Sequence, residues 1–229
     1  MQRLILVIAI VFVVVSAMAA ENGSLLDPAS VSITAPEVFR VEVKTTAGTF
    51  SMDVHRDWAP IGADRFYSLV KAGYYDGAAF YRVIRDPRPF MAQVGFSPDP
   101  EVNAVWRNER IQDDPRVESN TRGKVSFAKS NAPNSRTTQF FVNYTDNSYL
   151  DGYGFAPFAE VVSGMDVVDR LYAGYGEGAP QGRGPSQARI AREGAEYLEA
   201  EFPKLDVIVS ARVVPVDSGG AKEEKITPE

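Results

Sequence analysis

Phe80-Tyr81-Arg82-Val83-Ile84, followed by Phe90-Met91-Ala92-Gln93, sets one arginine among aromatic and aliphatic residues with an amide a short distance downstream. Read as strands, the first piece puts Phe80, Arg82 and Ile84 on one face, because strand side chains alternate with period two. Met91 and Gln93 then share a face in the second piece, with Phe90 at the start of the strand or on its other side. A cation and an amide among apolar groups suit a site that grips a neutral, partly apolar ligand through a few directed hydrogen bonds. The plainer alternative is an edge strand whose arginine lies on the surface. The rest of the chain decides between them.

Upstream, Phe39-Arg40-Val41-Glu42-Val43 and Thr49-Phe50-Ser51-Met52-Asp53-Val54 both alternate, and Thr46-Ala47-Gly48 between them predicts a hairpin. Pro60 and Gly73 bracket a helix over 61–72 that buries Phe66, Leu69 and Val70. Downstream, short strands are expected at 123–128, 138–143 and 155–162, a short helix at 164–171, a longer one at about 186–202 between Pro185 and Pro203, and a closing strand at 205–214. Many short strands with few helices predict a mainly β domain, an antiparallel sheet or barrel with helices over its openings. Residues 37–216 form that domain. Residues 21–36 read as a mobile linker and 217–229 as a disordered tail.

Composition narrows the chemistry. The 229 residues are 45% hydrophobic and carry a net charge of −6 with no basic cluster, which argues against nucleic acid as the main partner. There is no cysteine, so disulfides, thiol catalysis and thiolate metal sites are excluded. The single histidine, His55, rules out multi-histidine metal sites and reads as a solvated residue at a strand end. Arg3, the apolar run 4–15 and the small residues Ala17-Met18-Ala19 read as a signal peptide cleaved near Ala19 or Ala20. The run is short for a spanning helix, so a cleaved signal is preferred to a membrane anchor, the alternative reading of the same segment. The expectation is therefore an exported, monomeric protein, periplasmic or secreted, with no membrane segment after cleavage and 23 basic against 30 acidic residues.

The ordered motifs resemble the cyclophilin family of peptidyl-prolyl cis-trans isomerases from about Phe39 to Val214. They are Trp58-Ala59-Pro60, Phe80-x-Arg82, Phe90-Met91-x-Gln93, Ser126-Phe127-Ala128, Gln139-Phe140-Phe141, Leu150-Asp151-Gly152, Phe158-Ala159-Glu160-Val161 and Gly164-Met165-Asp166-Val167-Val168. Each is weak alone, and the order makes the set specific. The resemblance implies a closed eight-stranded antiparallel barrel with a helix over each end. It implies Arg82 as the catalytic arginine, with Phe90, Met91, Phe141 and Leu150 around the substrate proline ring. Gln93 and Gln139 correspond to polar groups that orient the substrate backbone, and Ala128 lines the neighbouring groove. Tyr149 stands where many members have tryptophan, so cyclosporin binding is expected to be weak. The partners are Pro-containing polypeptides, with no metal or other cofactor.

This chain departs from the family pattern in several places. Asp86-Pro87-Arg88 reads as an insertion, Val94 replaces a glycine, and 174–202 adds a Gly/Pro-rich loop and a helix. These departures keep a second class open, a catalytically weak module that binds Pro-containing segments. An unrelated ligand-binding barrel would leave the motif order as coincidence. Phe90, Phe140 and Phe141 also suit a plain barrel core. Asn143-Tyr144-Thr145 forms a glycosylation sequon, with Asn143 alternatively a structural cap.

Overall fold

The computed structural model describes residues 25–216, so the expected signal peptide and the expected tail lie outside the described residues. Eight strands form one antiparallel sheet: β1 (Val38–Thr45), β2 (Gly48–His55), β3 (Arg82–Val83), β4 (Met91–Val94), β5 (Lys124–Phe127), β6 (Phe140–Asn143), β7 (Pro157–Ser163) and β8 (Ile208–Val214). Their order is β3-β4-β6-β5-β7-β2-β1-β8. Among the described residues four α-helices accompany them: α1 (Pro60–Lys71), α2 (Pro100–Trp106), α3 (Met165–Arg170) and α4 (Gln187–Glu201).

The sheet curls into a half-barrel, and "closed" overstates it. Its two edge strands, β3 and β8, are not paired with each other. The gap is bridged by the run before β3, where Ala79 pairs singly with Val207 and Ile208 N–H donates to the Ala78 carbonyl at 2.8 Å. That run, expected as a strand from Gly77, is strand only at Arg82–Val83. Period-two alternation therefore does not carry through it. Phe80 belongs to the main core, whereas Arg82 faces away from it.

The β1–β2 hairpin has an unbroken register from Val38↔His55 to Thr45↔Gly48. Phe39, Val41, Val43, Phe50, Met52 and Val54 point inward and are buried. α1 lays Phe66, Leu69 and Val70 into this core, and α3 contributes Val168. Phe66 is ringed by Tyr75, Phe140 and Phe158 at centroid distances of 5.5, 5.3 and 5.0 Å. Such aromatic contacts dominate core energetics through the area each ring removes from water.

α1 starts without a local cap. Pro60 has no N–H, and Ala59 at the N-cap has no side-chain acceptor. A distant carboxylate substitutes: Asp114 Oδ1 and Oδ2 accept from Ile61 and Gly62 N–H at 2.9 and 2.8 Å. Negative charge is favoured at that end of a helix. The same carboxylate pairs with Arg136 Nη1 at 2.9 Å, the two side chains being 0% and 3% exposed.

Three further expectations are corrected. The stretch 25–36, read as part of a mobile linker, packs onto the domain: Leu25, Val31 and Ala35 are buried, and Trp106 Nε1 donates to the Leu25 carbonyl at 2.8 Å. Its Gly, Pro and Ser content disguises those three apolar anchors. His55 is packed rather than solvated, stacked on Trp58 at 4.0 Å. The helix expected over 186–202 is bent at Gly194, whose φ of 60° lets Ala195 N–H reach the Pro98 carbonyl at 2.8 Å. A side chain there would put its Cβ 2.1 Å from that oxygen. The sequon at Asn143 resolves toward structure, since Asn143 is fully buried and its amide donates to the Lys124 carbonyl at 3.0 Å.

Candidate active site

The site is built on the outer face of β3, β4 and β6. Alternation splits β4 and β6 cleanly. Ala92, Val94, Phe140 and Val142 enter the main core, while Met91 and Phe141 form a second apolar cluster with Leu150. Ile84, Phe90, Ala128 and Phe155 pack around it. The pairing Arg82↔Gln93 joins β3 to β4, and Gln93↔Phe141 joins β4 to β6, so the arginine, the amide and the aromatic ring stand in a row across three strands. Phe90 enters just before β4, its N–H held by the Ile84 carbonyl at 2.9 Å across the Asp86-Pro87-Arg88 turn. Ala128 N–H donates to the Gln139 carbonyl at 2.8 Å, which fixes the two groove residues beside each other.

The result is a cavity of about 370 Å³. Arg82, Phe90, Met91, Gln93, Ala128, Gln139, Phe141 and Leu150 all line it, which brings together every residue expected there except Tyr149. Tyr149 stands on the rim, 59% exposed, 6.3 Å from the Phe90 ring in a stacked arrangement. It lines a second hollow with Arg88, Pro89 and Asn147. Phe155 closes the apolar wall, edge-on to Phe141 at 5.7 Å. Val94 is compatible with this geometry because the glycine requirement falls one residue later. Gly95 has a φ of +125°, and a Cβ there would lie 2.5 Å from Gln139 Cα.

A chain of hydrogen bonds orders the polar wall. Arg82 Nη1 donates to Gln93 Oε1 at 3.0 Å. Gln93 Nε2 donates to Gln139 Oε1 at 3.1 Å. The Tyr81 hydroxyl donates to the same Gln139 oxygen at 2.5 Å. Burial holds the Tyr81 phenol well above its ordinary range, against the opposing charge of Arg82, so it remains a donor at any working pH. With its oxygen taken twice, Gln139 is left its NH₂ group for a ligand.

The partner that the sequence gives no sign of is Glu177. Its carboxylate grips the other side of Arg82 in a bidentate pair, Nε to Oε1 at 2.6 Å and Nη2 to Oε2 at 2.7 Å. Partial burial pushes the Glu177 carboxyl up. The hydrogen bonds and charge of Arg82, with the Gly178 N–H, more than offset this, leaving the group below the usual carboxylate range. Lys129, Ser130, Ser135, Thr137 and Gln187 complete the lining and were also missed, apart from the backbone near Ser130. Among the described residues, no group of acidic or histidine side chains could hold a metal ion.

Comparison with known proteins identifies the family. Residues 39–192 match the family model for cyclophilin-type peptidyl-prolyl cis-trans isomerases. The chain is 37% identical over 136 residues to a peptidyl-prolyl cis-trans isomerase of Acinetobacter baylyi, covering 57% of this chain and 70% of that one. It is 33% identical over 183 residues to peptidyl-prolyl cis-trans isomerase B of Escherichia coli, covering 76% and 98%. Among solved structures, a cyclophilin-type isomerase of Cryptosporidium parvum aligns with a TM-score of 0.58 at 18% identity, over 78% of this chain and 99% of that one. That protein has also been solved in the presence of the dipeptide Ala-Pro. The chain belongs to the cyclophilin family, and its activity is peptidyl-prolyl cis-trans isomerisation.

Proposed function

We propose that this isomerase acts on Pro-containing segments of exported polypeptides, as a monomer outside the cytoplasm, and that the cavity around Arg82 is where it does so. The observation that carries this reading is the pairing of one oriented guanidinium with an apolar wall. The peptide bond resists rotation by about 18–20 kcal/mol through nitrogen–carbonyl resonance. X-Pro bonds populate both isomers yet exchange over roughly tens of seconds or longer. No bond has to break. At the twisted state the proline nitrogen becomes pyramidal and regains a lone pair, which Arg82 can meet with an N–H that finds no acceptor there in the planar ground state. Such differential binding is what lowers a barrier.

Phe90, Met91, Phe141 and Leu150 hold the proline ring. The NH₂ of Gln139 and the backbone near Ser130 and Asn131 hold the flanking peptide while the carbonyl side turns, and Gln93 keeps Arg82 in line. A hydrogen bond to a charged donor is worth about 1.5–3 kcal/mol. A gain of about 10⁵ in rate requires about 7 kcal/mol. Desolvation and fixing of the flanking peptide therefore supply the larger part.

Export is tested on the N-terminus. Mass spectrometry of the protein recovered from the periplasm or medium is expected to give a chain beginning at Ala20 or Glu21, since Arg3, the apolar run and Ala17-Met18-Ala19 support cleavage there. An intact N-terminus in the cytoplasmic fraction refutes the proposed location while leaving the activity untouched. At the rim, Tyr149 supports weak cyclosporin binding, because its phenol replaces an indole N–H donor. Tyr149→Trp is expected to tighten binding in a fluorescence titration by about tenfold, the worth of one hydrogen bond. Equal affinities for both proteins rule out this account of the rim.

A further inference from the structure

Glu177 lies in the segment 174–185, between α3 and α4, and the loop is built to present it. Gly184 N–H donates to the Glu177 carbonyl at 2.8 Å, and Gly178 N–H to its own Oε1 at 2.9 Å. A Cβ on Gly182 would lie 2.2 Å from the Glu177 carbonyl oxygen, so only glycine fits against it. Tyr175 anchors the loop edge-on to Phe202 at the end of α4, with ring centroids 4.9 Å apart.

The direction of approach decides what the carboxylate does. Arg82 and Gln93 line the cavity and Glu177 does not. The carboxylate thus holds the Nε–Nη2 edge of the guanidinium from outside the cavity lining. It takes Nε–H and one Nη2 N–H, and Gln93 takes one Nη1 N–H. Three of the five N–H groups are used, which leaves one on each Nη for a substrate. We propose that Glu177 is a positioning residue, holding the Arg82 fork in the orientation that presents those two remaining N–H groups to the twisting X-Pro bond. This rests on the reading of the cavity as the isomerase centre.

Two effects oppose each other. The carboxylate partly neutralises the donor, and it also removes the rotamer freedom of a long side chain. Glu177 is 37% exposed, so solvent screens the first effect. The second survives screening, because a bidentate grip fixes direction. Positioning therefore outweighs neutralisation.

The test uses the full chain, its Glu177→Gln variant, and the same replacement in an Arg82→Ala background. Exchange NMR on a short X-Pro peptide is expected to give a kcat about tenfold lower in Glu177→Gln, with KM within about twofold of wild type. In the Arg82→Ala background the replacement is expected to change nothing. The Arg82 Nε–H resonance is expected to be sharp and slow to exchange in wild type, and to move and broaden in Glu177→Gln. A faster Glu177→Gln enzyme would mean the carboxylate obstructs the arginine, and an equal loss in the Arg82→Ala background would mean it acts elsewhere. Either result overturns the proposal, as does an unchanged Nε–H signal. Wild-type protein without turnover overturns the isomerase reading itself, and it is recognised before any variant is compared.

Discussion

Replacing Arg82 with alanine is expected to lower kcat/KM for X-Pro isomerisation by about a hundredfold, the rate equivalent of about 2.7 kcal/mol of lost transition-state stabilisation. The fold is expected to survive. Arg82 sits on a two-residue edge strand and packs toward the cavity, 5.8 Å from the Phe90 ring centroid, rather than into the main core. Its ion pair with Glu177 is partly exposed, 23% and 37%, so losing it costs at most about 1 kcal/mol of stability. The apolar wall is unchanged, so the effect falls on kcat more than on KM. Arg82→Lys is expected to recover little, because an ammonium carries the charge without the fork that Gln93 and Glu177 share. Protease-coupled or exchange NMR rates beside a circular dichroism melt check both halves. Near-normal turnover from a folded Arg82→Ala protein would remove the arginine from the mechanism.

The parts of this molecule that are legible in sequence are those whose signal is local. The β1–β2 hairpin follows from alternation around Thr46-Ala47-Gly48, and α1 from Pro60, Gly73 and the Phe66, Leu69, Val70 stripe. Arg82 and Gln93 can be paired because a short turn joins their strands. Glu177 is not legible, because it lies 95 residues from Arg82 in a Gly/Pro-rich run with no periodicity. A carboxylate in such a run looks like any solvated one, and only the folded loop aims it. α2 was missed for lack of length, although Asp99-Pro100-Glu101 carries a start signal: Asp99 accepts from Glu101 N–H at 2.8 Å. The N-terminal stretch reads as linker because three buried side chains in a polar segment make no period. Asp114 is hidden for the same reason as Glu177, being a remote group that completes a structure begun elsewhere.

That remoteness makes Asp114 a residue whose loss should hurt the fold severely. Asp114→Ala is expected to destabilise the domain by about 3–5 kcal/mol, the cost of leaving one half of a buried ion pair alone. Two effects combine. Ile61 and Gly62 lose the acceptor for their N–H groups at the start of α1, where nothing local can replace it. Arg136, 3% exposed, loses its closest carboxylate. Its guanidinium keeps the Gln112 carbonyl, and Asp113 lies 3.6 Å from Nε, which pulls the expectation toward the lower end of that range. In a thermal melt this corresponds to a fall of about 10 °C for a domain of this size. Asp114→Asn retains an acceptor for the helix start but no charge, so it should fall between wild type and alanine. The double variant Asp114→Leu with Arg136→Met removes both charges, and it is expected to be more stable than Asp114→Ala alone. Activity should follow stability here, because Ser135 and Thr137 flank Arg136 and both line the cavity. An Asp114→Ala protein that melts within about 2 °C of wild type would show that Asp113 and Gln112 suffice for Arg136 and that α1 needs no cap.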